Sequence, residues 1–179
     1  MGFKRSKHYK FNNKEKLSAY MDIFCEKGCC KLKILPKNKI KKQREHYPFE
    51  KRKAGVFICS GEKVLLVQSY NNFWGIPKGQ VEQYDDNIRV CAERELLEET
   101  GLSFTLKDNN LWKILLDYCY IYKIFIENTD DVNLENLQNL DSTGIGWIKV
   151  DCAFDFNITF LTRKILMENS WENRVKTEP

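Results

Sequence analysis

Three carboxylates, Glu95, Glu98 and Glu99, stand at i, i+3 and i+4 in the run Arg94-Glu95-Leu96-Leu97-Glu98-Glu99-Thr100-Gly101-Leu102. On an α-helix this spacing gathers all three on one face, where like charges repel and weaken the isolated helix. A hard divalent cation, Mg²⁺ or Mn²⁺, prefers oxygen ligands and would supply the counter-charge. Arg94 lies four residues before Glu98 and neutralises one carboxylate, but not three. Gly101 closes the helix as its C′ residue. The competing reading is a solvated acidic face, the ordinary fate of a bare Glu-x-x-Glu-Glu.

The flanking sequence supplies elements able to hold such a face. Ala54–Cys59 and Val64–Val67 are short apolar runs separated by Ser60-Gly61-Glu62, the pattern of a β-hairpin. Trp74-Gly75-Ile76-Pro77-Lys78-Gly79 follows. A helix capped by Asp85 or Asp86 then runs to Thr100, with Ile88, Cys91, Ala92, Leu96 and Leu97 turned inward. Phe104-Thr105-Leu106 is predicted as a strand, 111–127 as a bent strand pair, and Asn128 to Asp141 as a polar loop near the site. Gly146–Val150 is a final strand, and Asn157 caps a last helix to Glu168 whose inward residues are Phe160, Leu161, Ile165 and Leu166. Before all of these, Asn13 caps a predicted helix over 14–27 that Gly28 ends, and Lys31–Leu35 alternates as a strand until Pro36. This order suits the α/β class: an α/β/α sandwich around a mixed β-sheet.

A chain of 179 residues with 42% apolar side chains fits one globular domain. It lacks both the roughly 18 uninterrupted apolar residues of a membrane span and the apolar core of a signal peptide. Seven cysteines, an odd number with several in apolar runs, read as reduced thiols of an intracellular, cytoplasmic protein. Cys25, Cys29 and Cys30 cluster, with His8 and His46 elsewhere, but without the paired spacing of a zinc site.

The net charge of +4 hides an asymmetry. Residues 1–53 carry 17 Lys and Arg against 5 Asp and Glu; residues 54–179 carry 12 against 20. The organisation is therefore a basic extension, 1–53, ahead of an acidic globular domain, 54–179. Such a front half suits a polyanionic partner. Lys39, Lys41, Lys42 and Arg44, interleaved with apolar and aromatic residues, form the stretch expected to track an RNA backbone, with a solvated basic loop as the plainer alternative.

The stretch from Trp74 to Leu102 resembles the Nudix box, G-x5-E-x7-R-E-U-x-E-E-x-G-U with U aliphatic. Gly79, Arg94, Glu95, Leu96, Glu98, Glu99, Gly101 and Leu102 fill its positions. The interval from Gly79 to Arg94 is one residue longer than in the box, and counting back from Arg94 puts Asp86 where the early Glu belongs. The resemblance implies a metal-dependent hydrolase of nucleoside diphosphates linked to another moiety. It implies that Glu95, Glu98 and Glu99 hold the metal with a backbone carbonyl near Lys78 and Gly79, and that Arg94 orients the glutamates.

Within that family, Trp74-Gly75-Ile76-Pro77-Lys78-Gly79 followed by Cys91-Ala92-Glu93-Arg94-Glu95 is similar to the W-G-x-P-K-G…C-A-x-R-E segment of eukaryotic and large-DNA-virus mRNA-decapping enzymes. That likeness implies capped RNA as substrate, with 7-methyl-GDP and 5′-monophosphate RNA as products, and places Lys78 on the phosphates. It also implies a loop general base six residues before the Trp of the following strand, which is Asp141 counted from Trp147, with Glu135 as competitor. The cap's flat cationic base calls for an aromatic face; Trp74, Phe73, Tyr70, Trp112, Tyr118 and Tyr120 are all open choices. The P-K-G element also occurs in diadenosine polyphosphate hydrolases, so a small-molecule hydrolase of diadenosine or diphosphoinositol polyphosphates is the rival enzyme. A catalytically silent RNA-binding protein on the same fold is the non-enzyme rival.

Overall fold

The computed structural model describes residues 20–34, 51–69, 71–129 and 142–168. Its strands are β1 (Met21–Phe24), β2 (Lys31–Ile34), β3 (Lys53–Ser60), β4 (Lys63–Gln68), β5 (Trp74–Gly75), β6 (Lys78–Gln80), β7 (Leu111–Leu115), β8 (Cys119–Phe125) and β9 (Gly144–Lys149). The helices are α1 (Ile88–Thr100), the short α2 (Val150–Ala153) and α3 (Phe160–Met167). The sheet runs β1-β2-β9-β4-β3-β8-β7, with β5 added to β4 and β6 to β3. β3 and β8 are parallel and their neighbours antiparallel, so the sheet is mixed as expected.

Both faces of this sheet are covered, and the sequence shows why. β3 and β4 are continuous apolar runs, and alternation sends their side chains to two different cores. Val56, Ile58, Leu65 and Val67 pack with Cys91, Ala92 and Leu96 of α1. Phe57, Cys59, Val64 and Leu66 pack on the other side with Cys152, Ala153, Ile165 and Leu166 of α2 and α3. Helix α1 therefore sits on a rigid, doubly buried platform. Leu97 is half exposed, so the inward set is narrower than the apolar pattern implied.

Several elements differ from expectation, each for a local reason. Met21–Phe24 is a strand rather than the end of a helix. Gly28, at φ 68°, folds it back on β2, and Lys31 bridges to Asp22 across the hairpin at 2.7 Å. Phe104–Leu106 forms no strand, because the Leu106 N–H is taken by Glu93 Oε1 at 2.8 Å instead of a neighbouring chain. The N-cap of α1 is Asn87, not Asp85 or Asp86; its side chain accepts from the N–H groups of Arg89 and Val90. Thr159 rather than Asn157 caps α3, the Asn157 carbonyl being bound to the Trp74 N–H, and Phe160 is exposed. Val150 opens α2 instead of extending β9. The hairpin of β3 and β4, the split of 111–127 into β7 and β8, and the αL closure of α1 at Gly101 (φ 73°) all follow expectation.

Candidate active site

The acidic face of α1 is organised by one guanidinium. Arg94 donates from Nη1 to Glu95 Oε1 and to Glu98 Oε2, each at 2.8 Å. Its Nε and Nη2 form a fork on Asp85 Oδ1 and Oδ2, both at 2.9 Å, and Nη2 also reaches the Gln80 carbonyl at 2.9 Å. The Tyr84 ring lies 5.5 Å from Arg94 Cζ. A planar five-donor group is suited to holding several oxygens in fixed directions, which a lysine could not do.

Asp85 is the residue that sequence reasoning missed. Its side chain is only 1% exposed. Burial pushes its carboxyl upward, but the Arg94 fork and the Glu82 N–H, at 2.8 Å, outweigh this and hold it below the usual Asp value. Arg94 is correspondingly held more firmly protonated than usual: burial opposes the charge, and the Asp85 and Glu95 carboxylates overcome it. The position was legible: counting forward from Gly79 through five residues reaches Asp85, whereas counting back from Arg94 reached Asp86. The extra residue thus lies between Asp85 and Arg94, in the entry to α1.

Glu95 and Glu99 are held against β6. Glu99 Oε2 accepts the Lys78 N–H at 2.8 Å. A Cβ built at Gly79 would overlap the Glu95 carboxylate, so any side chain there forces that carboxylate to move. Ser142 Oγ donates to the Glu99 carbonyl at 2.9 Å, so the chain that follows Asp141 in sequence is tied to the end of α1. Strand alternation turns Lys78 to the side away from the Gly79–Glu95 contact. There its charge acts, with that of Lys53, on the thiol of Cys119, partly opposing the upward push of burial.

Trp74 is corrected. At 2% exposure it belongs to the core, edge-on to Phe156 at 6.0 Å, and its backbone is strapped to Asn157 and Thr159. It offers no open face to a substrate. Asp141, Glu135, Tyr70, Lys39, Lys41, Lys42 and Arg44 lie outside the described residues.

Asp85, Glu95, Glu98 and Glu99 bring four negative charges to a region where Arg94 brings one positive charge, a local excess of three among these five side chains. An all-oxygen donor set with that excess fits Mg²⁺ or Mn²⁺.

The comparisons bear on the family and the fold. Residues 50–151 match the model of the NUDIX domain family. A protein of Invertebrate iridescent virus 3, described as "Putative hydrolase 111R", is 60% identical over 159 residues, covering 87% of this chain and 92% of its own length. Among solved structures, a NUDIX hydrolase from Nitrosomonas europaea is similar with a TM-score of 0.53 at 18% identity, over 89% of each chain. The Ap4A hydrolase of C. elegans is similar with a TM-score of 0.51 at 17% identity, over 69% of this chain and 98% of its own. A family match across more than half the chain, centred on the helix that Arg94 organises, makes this protein a member of the Nudix hydrolase family.

Proposed function

We propose that this Nudix hydrolase opens the pyrophosphate bridge of capped RNA, releasing 7-methyl-GDP and 5′-monophosphate RNA. Glu95, Glu98 and Glu99, with the Gly79 carbonyl, would hold Mg²⁺ or Mn²⁺. When bound, such ions neutralise diphosphate oxygens and lower the pKa of the attacking water. Arg94 holds the Glu95 and Glu98 carboxylates, and Asp85 keeps Arg94 in place. The Lys78 N–H holds Glu99, while its ammonium, on the other side of β6, meets a phosphate that crosses the strand. Asp141, or in its place Glu135, takes the proton from water. The tie from Ser142 to the Glu99 carbonyl supports Asp141, its neighbour in sequence.

The observation that carries the choice of a long polyanion is where the basic stretch joins the fold. At its end the Arg52 carbonyl accepts the Val81 N–H at 3.0 Å and Lys53 pairs with Gln80, next to Gly79. A segment with ten Lys and Arg among residues 31–53 thus ends against the strand that carries the site.

The test uses RNA labelled in its 7-methylguanosine cap beside free diadenosine tetraphosphate, with Mg²⁺ or Mn²⁺. Release of labelled 7-methyl-GDP is expected, falling about a thousandfold in Glu98→Gln. Cleavage of the dinucleotide alone would transfer the protein to small-molecule hydrolysis. No cleavage of either, with RNA still bound, would make it a binding protein.

A further inference from the structure

We propose that Cys25, Cys29, Cys30 and Cys152 form a structural zinc site. The sequence shows only part of it: Cys25, Cys29 and Cys30 cluster without the paired spacing of a zinc site, and the fourth ligand stands more than a hundred residues from them. Three observations converge on a metal.

The first is distance. Cys29 Sγ lies 3.6 Å from Cys25 Sγ, 3.8 Å from Cys30 Sγ and 3.5 Å from Cys152 Sγ, and all four sulfurs fall within 4.8 Å of one another. A zinc ion with Zn–S bonds of about 2.3 Å defines a sulfur tetrahedron with edges of about 3.8 Å. Among the described residues no other group of three or more His, Cys, Asp or Glu ligand atoms is drawn together in this way. The carboxylates of α1 are not, because Arg94 stands between Glu95 and Glu98.

The second is the surrounding chain. All seven cysteines are unpaired by disulfides. The Cys30 N–H points to Cys25 Sγ at 3.3 Å and the Lys149 N–H to Cys30 Sγ at 3.2 Å. Backbone donors of this kind satisfy thiolates, whose charge must be compensated around a tetrathiolate centre. The Gly28 N–H bonds the Cys25 carbonyl at 2.9 Å, and the positive φ of Gly28 turns the chain so that three sulfurs aim at one point.

The third is mechanical need. β1 pairs only with β2 among the described strands, and β2 reaches the sheet through three residues paired with β9. A two-stranded edge ribbon of four-residue strands is marginal by itself. The cysteines join its turn to α2, which follows β9 directly. Four protein ligands leave no open position, so the site is structural rather than catalytic. On loading, four thiols lose their protons to solvent and the centre carries a charge of −2, among the sequence neighbours Lys27, Lys31 and Lys149.

The decisive experiment is the metal content of the purified full-length chain, followed by replacement of its metal with Co²⁺. One zinc per chain is expected, together with the near-ultraviolet charge-transfer and intense visible bands of a tetrahedral tetrathiolate cobalt centre. Cys29→Ser and Cys152→Ser should lose the zinc and melt about 10 °C lower. Cys29→His, which keeps a competent ligand, and Cys119→Ala, outside the cluster, should retain it. A parent chain without zinc after growth in zinc-supplemented medium, and without the cobalt spectrum, overturns the proposal. So does zinc that persists in both serine variants. Should a serine variant fail to fold, the parent's stoichiometry and cobalt spectrum decide alone.

Discussion

The acidic face of α1 and the thiol cluster beside α2 lie on opposite faces of the same sheet and are built on opposite principles. At α1 the oxygens are hard, and their spacing is set by a single helix. One guanidinium already spans two of them, so a divalent ion entering there competes with Arg94 for position. At the thiol cluster the ligands are soft, come from two chain segments, and already lie within 4.8 Å of one another. On these two proposals, one site would keep its ligands adjustable so that a substrate can share an ion, and the other would close around its ion.

Separate faces predict separate failures, and after the loss in Glu98→Gln the largest effect is expected at Gly79. Gly79→Ala places a methyl group where Glu95 Oε1 now lies. A displacement of about 1 Å in a catalytic group costs about a hundredfold in rate. Hydrolysis should fall by that order while zinc content and melting temperature stay near the parent's. Cys29→Ser should show the reverse pattern: zinc lost and melting lowered, but activity retained at temperatures below the melt. Joint loss of zinc and activity in either variant would mean that the two faces are coupled.

The same contrast explains what could be read from the sequence. Glu95, Glu98, Glu99 and Arg94 were legible because helix periodicity converts spacing directly into a shared face, and Gly101 marks where the helix stops. The β3–β4 hairpin and helix α3 were legible for similar local reasons. Asp85 was missed because an inserted residue makes the answer depend on the direction of counting. Cys25, Cys29 and Cys30 stood together in the sequence, but the fourth ligand was missed because Cys152 reaches Cys29 only through the pairing of β2 with β9. The strand at Met21–Phe24 was missed because Leu17, Tyr20, Met21 and Phe24 fit a helical period, while Gly28 and the cross-strand partner decide the outcome. Local spacing carries local sites; sites closed by topology need the fold.

An intermediate effect is expected at Asp85, where the catalytic face borrows stability from an ion pair rather than from a metal. Asp85→Asn should destabilise the fold by about 2 kcal/mol at neutral pH, since it removes a nearly buried partner of Arg94. The sign with pH follows from the depressed carboxyl. Its contribution is complete above the unfolded value of about 3.9 and is lost as pH falls through the lower folded value. Urea titrations at a series of pH values should therefore show parent and variant converging below about pH 4. A difference that persists in acid would mean that Asp85 acts through packing and not through charge.

The smallest effect tests whether the two faces meet through the basic stretch. That stretch follows Ile34, the last residue of β2, and ends at Lys53, beside the strand that holds Gly79. Replacing Lys39, Lys41, Lys42 and Arg44 together with Ala should weaken capped-RNA binding about tenfold and reduce its logarithmic salt slope by up to about three, as four single-strand phosphate contacts would require. Hydrolysis of a free dinucleotide should stay near the parent rate, because none of the four lies on α1 or β6. Removal of zinc would then add a distinct signature: if the hairpin anchors the stretch, Cys29→Ser weakens RNA binding but leaves the salt slope intact, since every charge is still present. An unchanged RNA affinity in Cys29→Ser would confine the thiol cluster to folding and leave the basic stretch anchored from Lys53 alone.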